Sequence, residues 1–172
     1  TAKLLLYAGR ISPEKNVALL PKIMEMLAND SKNDFRLLIA GAGPNQDWVS
    51  AECEKAAPGK VRMLGQVNNR EELADLFANC NGFVHPNPRE PFGITPLEAM
   101  ASGLPVVAPN SGGVLSYANN ENAWLCEPDA KCFSEAILDI FSDDARRLSK
   151  IRCGLETSKK YNWGTSISSI FG

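Results

Sequence analysis

The chain has 172 residues, of which 44% are apolar, 22% are charged and 8% are aromatic. This size and composition are typical of one globular domain and exclude a disordered chain, a collagen-like chain and a small disulfide-stabilised scaffold. Its 18 Lys and Arg residues against 20 Asp and Glu residues give a net charge of −2, so we expect no polycationic surface for nucleic acid or anionic lipid. Any bound anion should therefore be held by a few local groups.

Five cysteines are scattered along the sequence without a C-x-x-C pair. An odd number of isolated thiols is typical of a reducing compartment, and we predict a cytoplasmic protein. The apolar runs are much shorter than the roughly 20 residues of a membrane span, and no signal-peptide pattern opens the chain. Because the chain opens at Thr1 without an initiator Met, we expect it to be a piece of a longer polypeptide.

Six short apolar runs alternate with segments of helical spacing. The runs are nearly continuous in their apolar character, which is typical of strands buried on both faces of a parallel sheet. We predict an α/β fold: a doubly wound, Rossmann-like sheet of six parallel strands with helices on both faces, whose ligands bind beyond the carboxyl ends of the strands. The predicted strands are Leu4–Ala8, Phe35–Ala40, Val61–Leu64, Phe83–His85, Val106–Ala108 and Ala123–Cys126.

The predicted helices follow the strands in chain order. The first should begin near Asn16, because Pro21 is tolerated only in the first turn of a helix, and Arg10–Lys15 is then a loop. The later helices contain the periodic apolar residues of Leu73–Cys80 and Cys132–Phe141, and a charged helix from about Asp144 to Lys160, before a weakly patterned tail at Trp163–Gly172.

A glycine and two cations follow the first predicted strand. Gly9 would let a ligand approach the backbone closely, and Arg10 and Lys15 lie five positions apart in the loop that leads to the first helix. Two such cations can hold a diphosphate through charge-assisted hydrogen bonds. Taken alone, the segment is better explained by two solvated surface charges.

Two carboxylates and a helix start follow the fourth predicted strand. Residues 95–98 have the spacing of a capping box, with Thr95 as N-cap and Glu98 at the third helical position. A cap explains Glu98 without a ligand, but it leaves Glu90 and the Phe92–Gly93 step unexplained. A helix that begins at Thr95 would also direct free N–H groups towards an anion beyond the strand.

Three other features carry weaker signals. Ala40–Pro44 contains two glycines, but Gln46 occupies the place of the third glycine of a dinucleotide fingerprint, so we expect a tight turn there. His85, the only histidine, is interpreted as a core or rim residue with satisfied hydrogen bonds. Asp143–Asp144 is not a D-x-D motif, and no other cluster of oxygen ligands is evident, so we predict neither a metal ion nor a cofactor.

The order of these motifs resembles the retaining GT-B glycosyltransferases of family 4, specifically their C-terminal, donor-binding half. The resemblance covers nearly the whole chain and rests on Gly9-Arg10 with Lys15, on residues 39–44, on residues 64–67, on the E-x7-E spacing of Glu90 and Glu98, and on residues 99–107 (AMASGLPVV). It implies that residues 1–172 form one domain that binds a nucleotide-sugar and that the N-terminal acceptor domain is absent from this chain.

The resemblance implies an enzyme that transfers a hexose from a UDP- or GDP-sugar to an acceptor with retention of configuration and without a metal ion. It implies that the fragment is inactive without the acceptor domain, which would also provide any peripheral membrane contact. Nucleic acid is not an implied partner.

The resemblance further assigns roles to individual residues. It implies that Arg10 and Lys15 contact the diphosphate and form the catalytic set with Glu90, that Glu98 binds the ribose, and that the main chain near Gln66 and Val67 meets the base. Glu90 would hold sugar hydroxyls, so the ends of the first and fourth strands must lie side by side. The implied substrate-binding set is Gly9, Arg10, Lys15, Gly41, Gln66, Val67, Glu90, Phe92, Gly93, Ile94, Thr95 and Glu98.

Departures from the family pattern and other protein classes leave alternatives open. Asn16 stands where Gly is frequent, Asn87 where Ser is frequent, and Ser116 where many relatives carry an acid. Glu90 and Glu98 could instead be the two carboxylates of a glycosidase. Epimerases and phosphorylases share the same half-fold, and a nucleotide-binding module without catalysis is the non-enzyme alternative.

Overall fold

The structure is a computed structural model that describes residues 1–161. This part of the chain contains one sheet of six strands, all parallel. Each strand overlaps the apolar run that predicted it, so the predicted Rossmann-like α/β sheet is confirmed. The strands are β1 (Ala2–Ala8), β2 (Asp34–Ala40), β3 (Val61–Gly65), β4 (Gly82–Val84), β5 (Val106–Pro109) and β6 (Trp124–Cys126).

The strand order places the ends of β1 and β4 side by side, as the sequence analysis required. The order across the sheet is β3-β2-β1-β4-β5-β6, and β1 pairs with β2 on one side and with β4 on the other. The chain therefore winds outwards from the centre of the sheet in both directions. In a sheet wound in this way, the ligand crevice lies beyond the carboxyl ends of the two central strands.

Helices cover both faces of the sheet. Those on one face share a core with Leu5, and those on the other share a core with Leu6. Because side chains alternate across a strand, β1 is buried on both sides, which explains its unbroken apolar run. The helices are α1 (Leu19–Leu27), α2 (Gln46–Ala56) and α5 (Ala130–Ser142) on the first face, α3 (Arg70–Asn79) and α4 (Ile94–Ala101) on the second, and α6 (Asp144–Lys159) against α4.

The helices at the carboxyl end of the chain agree with the sequence prediction, and the predicted tail at Trp163–Gly172 lies outside the described residues. Within residues 1–161, no helix is both long enough and apolar enough to cross a lipid bilayer.

The first helix begins later than predicted. A 3-10 turn covers Pro13–Lys15, Asn16 follows with a φ of 60°, and α1 starts at Leu19 rather than near Asn16. A residue in the left-handed conformation interrupts a right-handed helix, which explains the difference. Pro21 occupies the third position of α1, where its missing N–H leaves no intrahelical hydrogen bond unmade.

The predicted capping box at residues 95–98 is wrong. Gly93 is the N-cap of α4 with a φ of 86°, the helix begins at Ile94, and no side chain caps its start. Thr95 is therefore the second residue of the helix rather than its cap, and Glu98 is the fifth. The reason is a contact from outside the segment: the hydroxyl of Tyr117 donates a hydrogen bond to the carbonyl of Gly93.

Candidate functional site

The loops that follow β1 and β4 form one polar junction. Residues 9–15 leave β1, and residues 85–90 leave β4 beside them. The first loop is also fixed to the end of β2, since the N–H of Gly9 donates to the carbonyl of Ala40 over 3.0 Å. Gly41 allows this approach, because a Cβ at that position would lie 1.8 Å from the carbonyl oxygen of Gly9.

Two of the predicted catalytic side chains contact each other across this junction. The ammonium of Lys15 lies 3.1 Å from Oε2 of Glu90, and both side chains are mostly buried. The side-chain amide of Asn87 donates to the same oxygen over 2.8 Å. The carboxylate of Glu90 is therefore held in place by one charged donor and one neutral donor.

Arg10 extends from the same loop into solvent. Its side chain is 62% exposed, and its nearest carboxylate, Glu14, lies 4.0 Å away. An exposed ion pair at this distance contributes little, so the guanidinium can turn to a ligand at low cost. The backbone of Arg10 is fixed instead, because the buried hydroxyl of Tyr7 donates to its carbonyl over 2.6 Å.

A cavity of about 260 Å³, the smaller cavity, opens between the two loops and the start of α4. An α-helix leaves its first N–H groups without intrahelical partners, so the start of α4 presents hydrogen-bond donors and the positive end of the helix dipole here. The predicted site residues in its wall are Gly9, Arg10, Lys15, Glu90, Gly93, Ile94 and Thr95, and further wall residues include Tyr7, His85 and Asn87.

His85 lies in this wall and differs from the sequence expectation. Its side chain is buried as expected, but Nε2 has no hydrogen-bond partner within the part of the chain that the structure describes. Burial lowers the pKa of His85 to about 4; the charge of Lys15 acts in the same direction, and that of Glu90 opposes it. The imidazole is therefore neutral at pH 7.

A second cavity of about 460 Å³, the larger cavity, lies on the β2 and β3 side of the junction. Arg10 and Glu98 both line it, so the two ends of the predicted site share one hollow. The smaller and larger cavities also share wall residues at the end of β1 and at the start of α4. The predicted site residues in the larger cavity are Gly9, Arg10, Gly41, Gln66, Val67, Thr95 and Glu98.

Glu98 is partly buried in the larger cavity. Burial raises the pKa of its carboxyl group, and the positive charge of Arg70 opposes this effect. Because Glu98 does not cap its own helix, its carboxylate is placed to accept hydrogen bonds from a ligand in the cavity. Within residues 1–161, no three or more His, Cys, Asp or Glu side chains are grouped so that they could hold a metal ion.

Phe92 is the predicted site residue that lines neither cavity. Its ring packs against Tyr117 at 5.3 Å and against Tyr161 at 5.8 Å between centroids. These aromatic contacts support the turn at Gly93, whose carbonyl accepts the hydrogen bond of Tyr117. Phe92 therefore stabilises the start of α4 from behind the site.

The sequence model of the family described as Glycosyl transferases group 1 matches residues 1–153. The chain belongs to this family. The chain is similar to O-antigen chain mannosyltransferase B of Escherichia coli, with 30% identity over 92% of this chain and 42% of that protein. It is 27% identical to a GDP-mannose-dependent phosphatidylinositol dimannoside mannosyltransferase of Mycobacterium tuberculosis, over 99% of this chain and 43% of that protein.

Among solved structures, the chain is similar to the catalytic domain of cholesterol-alpha-glucosyltransferase from Helicobacter pylori. The TM-score is 0.82 and the identity is 28%, over 94% of this chain and 99% of that one. The chain thus spans less than half the length of the two curated relatives, while it matches this solved domain almost completely. The fold is that of the C-terminal domain of GT-B glycosyltransferases.

The polar wall residues that were not predicted for the site of this group 1 domain are Tyr7, His85 and Asn87. Tyr7 has the pattern of a core residue in a buried strand, and its hydroxyl becomes informative only through its contact with Arg10. Asn87 could have been predicted from the sequence as a partner of Glu90, because a side-chain amide between Pro86 and Pro88 can reach a carboxylate three residues away.

Proposed function

We propose that the chain is the donor-binding domain of a retaining, family 4 glycosyltransferase. In this proposal a UDP- or GDP-sugar gives its hexose to an acceptor with retention of anomeric configuration. The observation that carries the proposal is the convergence of two cations, two carboxylates and the start of α4 on two cavities with a common wall. One relative described above is named for its dependence on GDP-mannose, which supports a nucleotide-sugar as ligand.

The two cavities match the parts of a nucleoside-diphosphate sugar in order. The larger cavity takes the nucleoside, with Glu98 at the ribose hydroxyls and the main chain of Gln66 and Val67 at the base. The common wall, with Arg10 and the first turn of α4, takes the diphosphate. The smaller cavity takes the sugar, whose hydroxyls lie within reach of Glu90.

The proposed reaction breaks the bond between the anomeric carbon and the diphosphate oxygen, and the diphosphate leaves with the bonding electrons. The acceptor hydroxyl oxygen forms the new bond on the same face of the sugar, and its proton passes to an oxygen of the leaving diphosphate. Negative charge builds up on the diphosphate, so positive groups that are already in place lower the barrier. Arg10, Lys15 and the N–H groups of α4 would do here what a metal ion does in other transferases.

We further propose that a separate, N-terminal domain of the whole enzyme binds the acceptor. The curated relatives extend well beyond the matched region, which leaves room for such a domain in them. The 172 residues alone should then bind the donor and transfer sugar slowly or not at all. Rapid transfer by this chain alone would contradict the proposal. A cytoplasmic location stays a prediction.

A glycosidase fits the geometry less well. Its two carboxyl groups must flank one bond, and one of them must donate a proton. Glu90 and Glu98 line different cavities, and the carboxylate of Glu90 already accepts hydrogen bonds from Lys15 and Asn87. The site therefore suits a leaving diphosphate better than two carboxyl groups acting on one glycosidic bond.

The proposal is tested by the melting temperature of the chain with UDP, GDP and ADP and with the corresponding nucleotide-sugars. A ligand at ~100 times its Kd adds about 2.7 kcal/mol to the free energy of unfolding, which corresponds to several degrees for a chain of this size. The shift should be the same in EDTA as in Mg²⁺. If none of the diphosphates raises the melting temperature, the proposed function is wrong.

A matched pair of variants tests whether the nucleotide binds at the site that contains Arg10. Arg10→Ala should weaken binding of the active nucleotide by about 10- to 100-fold, because a charge-assisted contact to phosphate is lost. Arg152→Ala removes an equally charged, exposed residue from α6, away from both cavities, and should leave binding unchanged. Equal effects of the two substitutions would show that Arg10 acts only through net charge.

A further inference from the structure

A neutral hydrogen bond joins the two loops of the junction next to the Lys15–Glu90 ion pair. Nδ2 of Asn16 donates to the carbonyl oxygen of Pro86 over 3.0 Å, across 70 positions of sequence. Asn16 directly follows Lys15, and Pro86 lies two residues beyond the end of β4. The bond therefore connects the loop that carries both cations to the exit of the neighbouring central strand.

The backbone of Asn16 fixes the direction of this side chain. Asn16 has a φ of 60° and a ψ of 33°, and within the described residues it is the one non-glycine residue at positive φ. Its N–H donates to the carbonyl of Pro13 over 3.0 Å, and its own carbonyl accepts from the N–H of Leu19 over 3.1 Å. Asparagine tolerates this conformation better than most residues, so position 16 combines a left-handed turn with a side-chain donor.

The ion pair beside this bond is the part of the junction that a diphosphate would disturb. The ammonium of Lys15 faces the carboxylate of Glu90, and a bound phosphate would compete for the same ammonium. A bond between an amide and a backbone carbonyl carries no net charge, so an arriving anion does not displace it. Asn16 can hold the two loops together while Lys15 changes partner.

We propose that Asn16 is a positioning residue for the diphosphate: its side-chain amide holds the Arg10–Lys15 loop against the exit of β4, so that the ammonium of Lys15 meets the phosphates. Asn16 itself does not touch the ligand. This inference rests on the proposed function, since it assigns a residue to the diphosphate part of the same site. It predicts an effect on the diphosphate and none on the nucleoside.

The test compares Asn16→Gly with wild type by calorimetric or NMR titration with UDP, GDP and ADP and with uridine, guanosine and adenosine. Glycine keeps the left-handed backbone and removes the amide, so the fold should be retained. For the diphosphate that wild type binds, affinity should fall about 3- to 10-fold, the range expected for one lost hydrogen bond. Affinity for its nucleoside should change by less than about 2-fold.

Two further variants complete the design. Asn29→Gly, an exposed residue after α1, controls for an Asn-to-Gly change elsewhere and should alter neither affinity. Asn16→Ala should bind the diphosphate no better than Asn16→Gly and should melt at a lower temperature, since alanine disfavours positive φ.

Each contrary result has a defined meaning. Equal losses for diphosphate and nucleoside, unchanged diphosphate affinity, or a melting temperature of Asn16→Gly more than about 5 °C below wild type would each overturn the positioning role. These results would leave the proposed function standing, because it is read from wild type alone. Absence of diphosphate binding by wild type would instead reject the proposed function and this inference with it.

Discussion

Glu98 occupies the fifth position of α4 and faces the larger cavity. A carboxylate at that position lies beyond the first free N–H groups of the helix, so it cannot close a capping box. Burial raises its pKa, which means that the folded protein pays a desolvation cost to keep the group ionised. Hydroxyl groups of a ligand that donate to the carboxylate would offset that cost, as the ribose of the proposed nucleotide would.

Glu98→Gln should therefore separate binding from stability. We expect an unchanged or slightly higher melting temperature, because a partly buried charge disappears, and about 10-fold weaker binding of the nucleoside diphosphate, because charge-assisted hydrogen bonds to ribose are lost. Titration with the 2′,3′-dideoxy analogue is the control, since wild type should discriminate against it and the variant should not. A lower melting temperature with unchanged binding would assign Glu98 a structural role only.

The residues of the site differ in how well they could be predicted from the sequence. Arg10, Lys15 and Glu90 directly follow buried strands, and parallel strands bring their carboxyl ends to one edge of the sheet, so their meeting could be predicted. Tyr7 and His85 could not, because each has the pattern of a core residue. The hydroxyl of Tyr7 is assigned to the site only by its contact with the backbone of Arg10. Nε2 of His85 is assigned only by its burial without a hydrogen-bond partner among residues 1–161.

Among the elements, α4 has a boundary that its own sequence does not determine. Residues 95–98 fit a capping box, yet Gly93 turns into the left-handed region and the helix begins at Ile94. The decisive contact comes from Tyr117, which follows the 3-10 turn Gly113–Ser116 and lies 24 residues further along the chain. Local spacing contains no information about such a contact, so the helix was predictable and its start was not.

Tyr117→Phe should show the contribution of this contact. The variant keeps the ring contact with Phe92 and loses the buried hydrogen bond to Gly93, so we expect a loss of about 1 kcal/mol and a melting temperature lower by roughly 2–4 °C. Tyr161→Phe is the matched control, because its hydroxyl donates to Ser116 at an exposed site and its loss should cost less. Equal shifts in the two variants would mean that the start of α4 does not depend on Tyr117.

At the scale of the whole molecule, the sheet topology could be predicted from the pattern of apolar residues, but the cavities could not. Short, unbroken apolar runs separated by helical spacing predicted the six parallel strands, and the doubly wound order placed the loops after β1 and β4 together. The walls of the smaller and larger cavities both include the end of β1 and the start of α4, and the larger cavity adds residues from the end of β2 and from the segment after β3. These walls join segments that are distant in the sequence, and periodicity along one segment cannot describe them.

The stability of the whole molecule should depend on pH through His85. Its pKa is about 4 in the folded protein against an ordinary value of 6.5, so between these values the unfolded chain binds a proton that the folded chain does not. The free energy of unfolding therefore decreases as the pH falls through this window, and the full effect is present below pH 4. The difference in pKa corresponds to about 3 kcal/mol at most.

His85→Phe removes the titrating group and keeps an aromatic ring at the buried position. Urea denaturation at pH 7 and at pH 4.5 should show a loss of stability in wild type that exceeds the loss in the variant by about 2 kcal/mol. Carboxylates titrate in both proteins over the same range, so their contributions cancel in this comparison. Equal losses in wild type and variant would show that His85 is protonated as easily in the folded protein as in the unfolded chain, and would place its imidazole in contact with water.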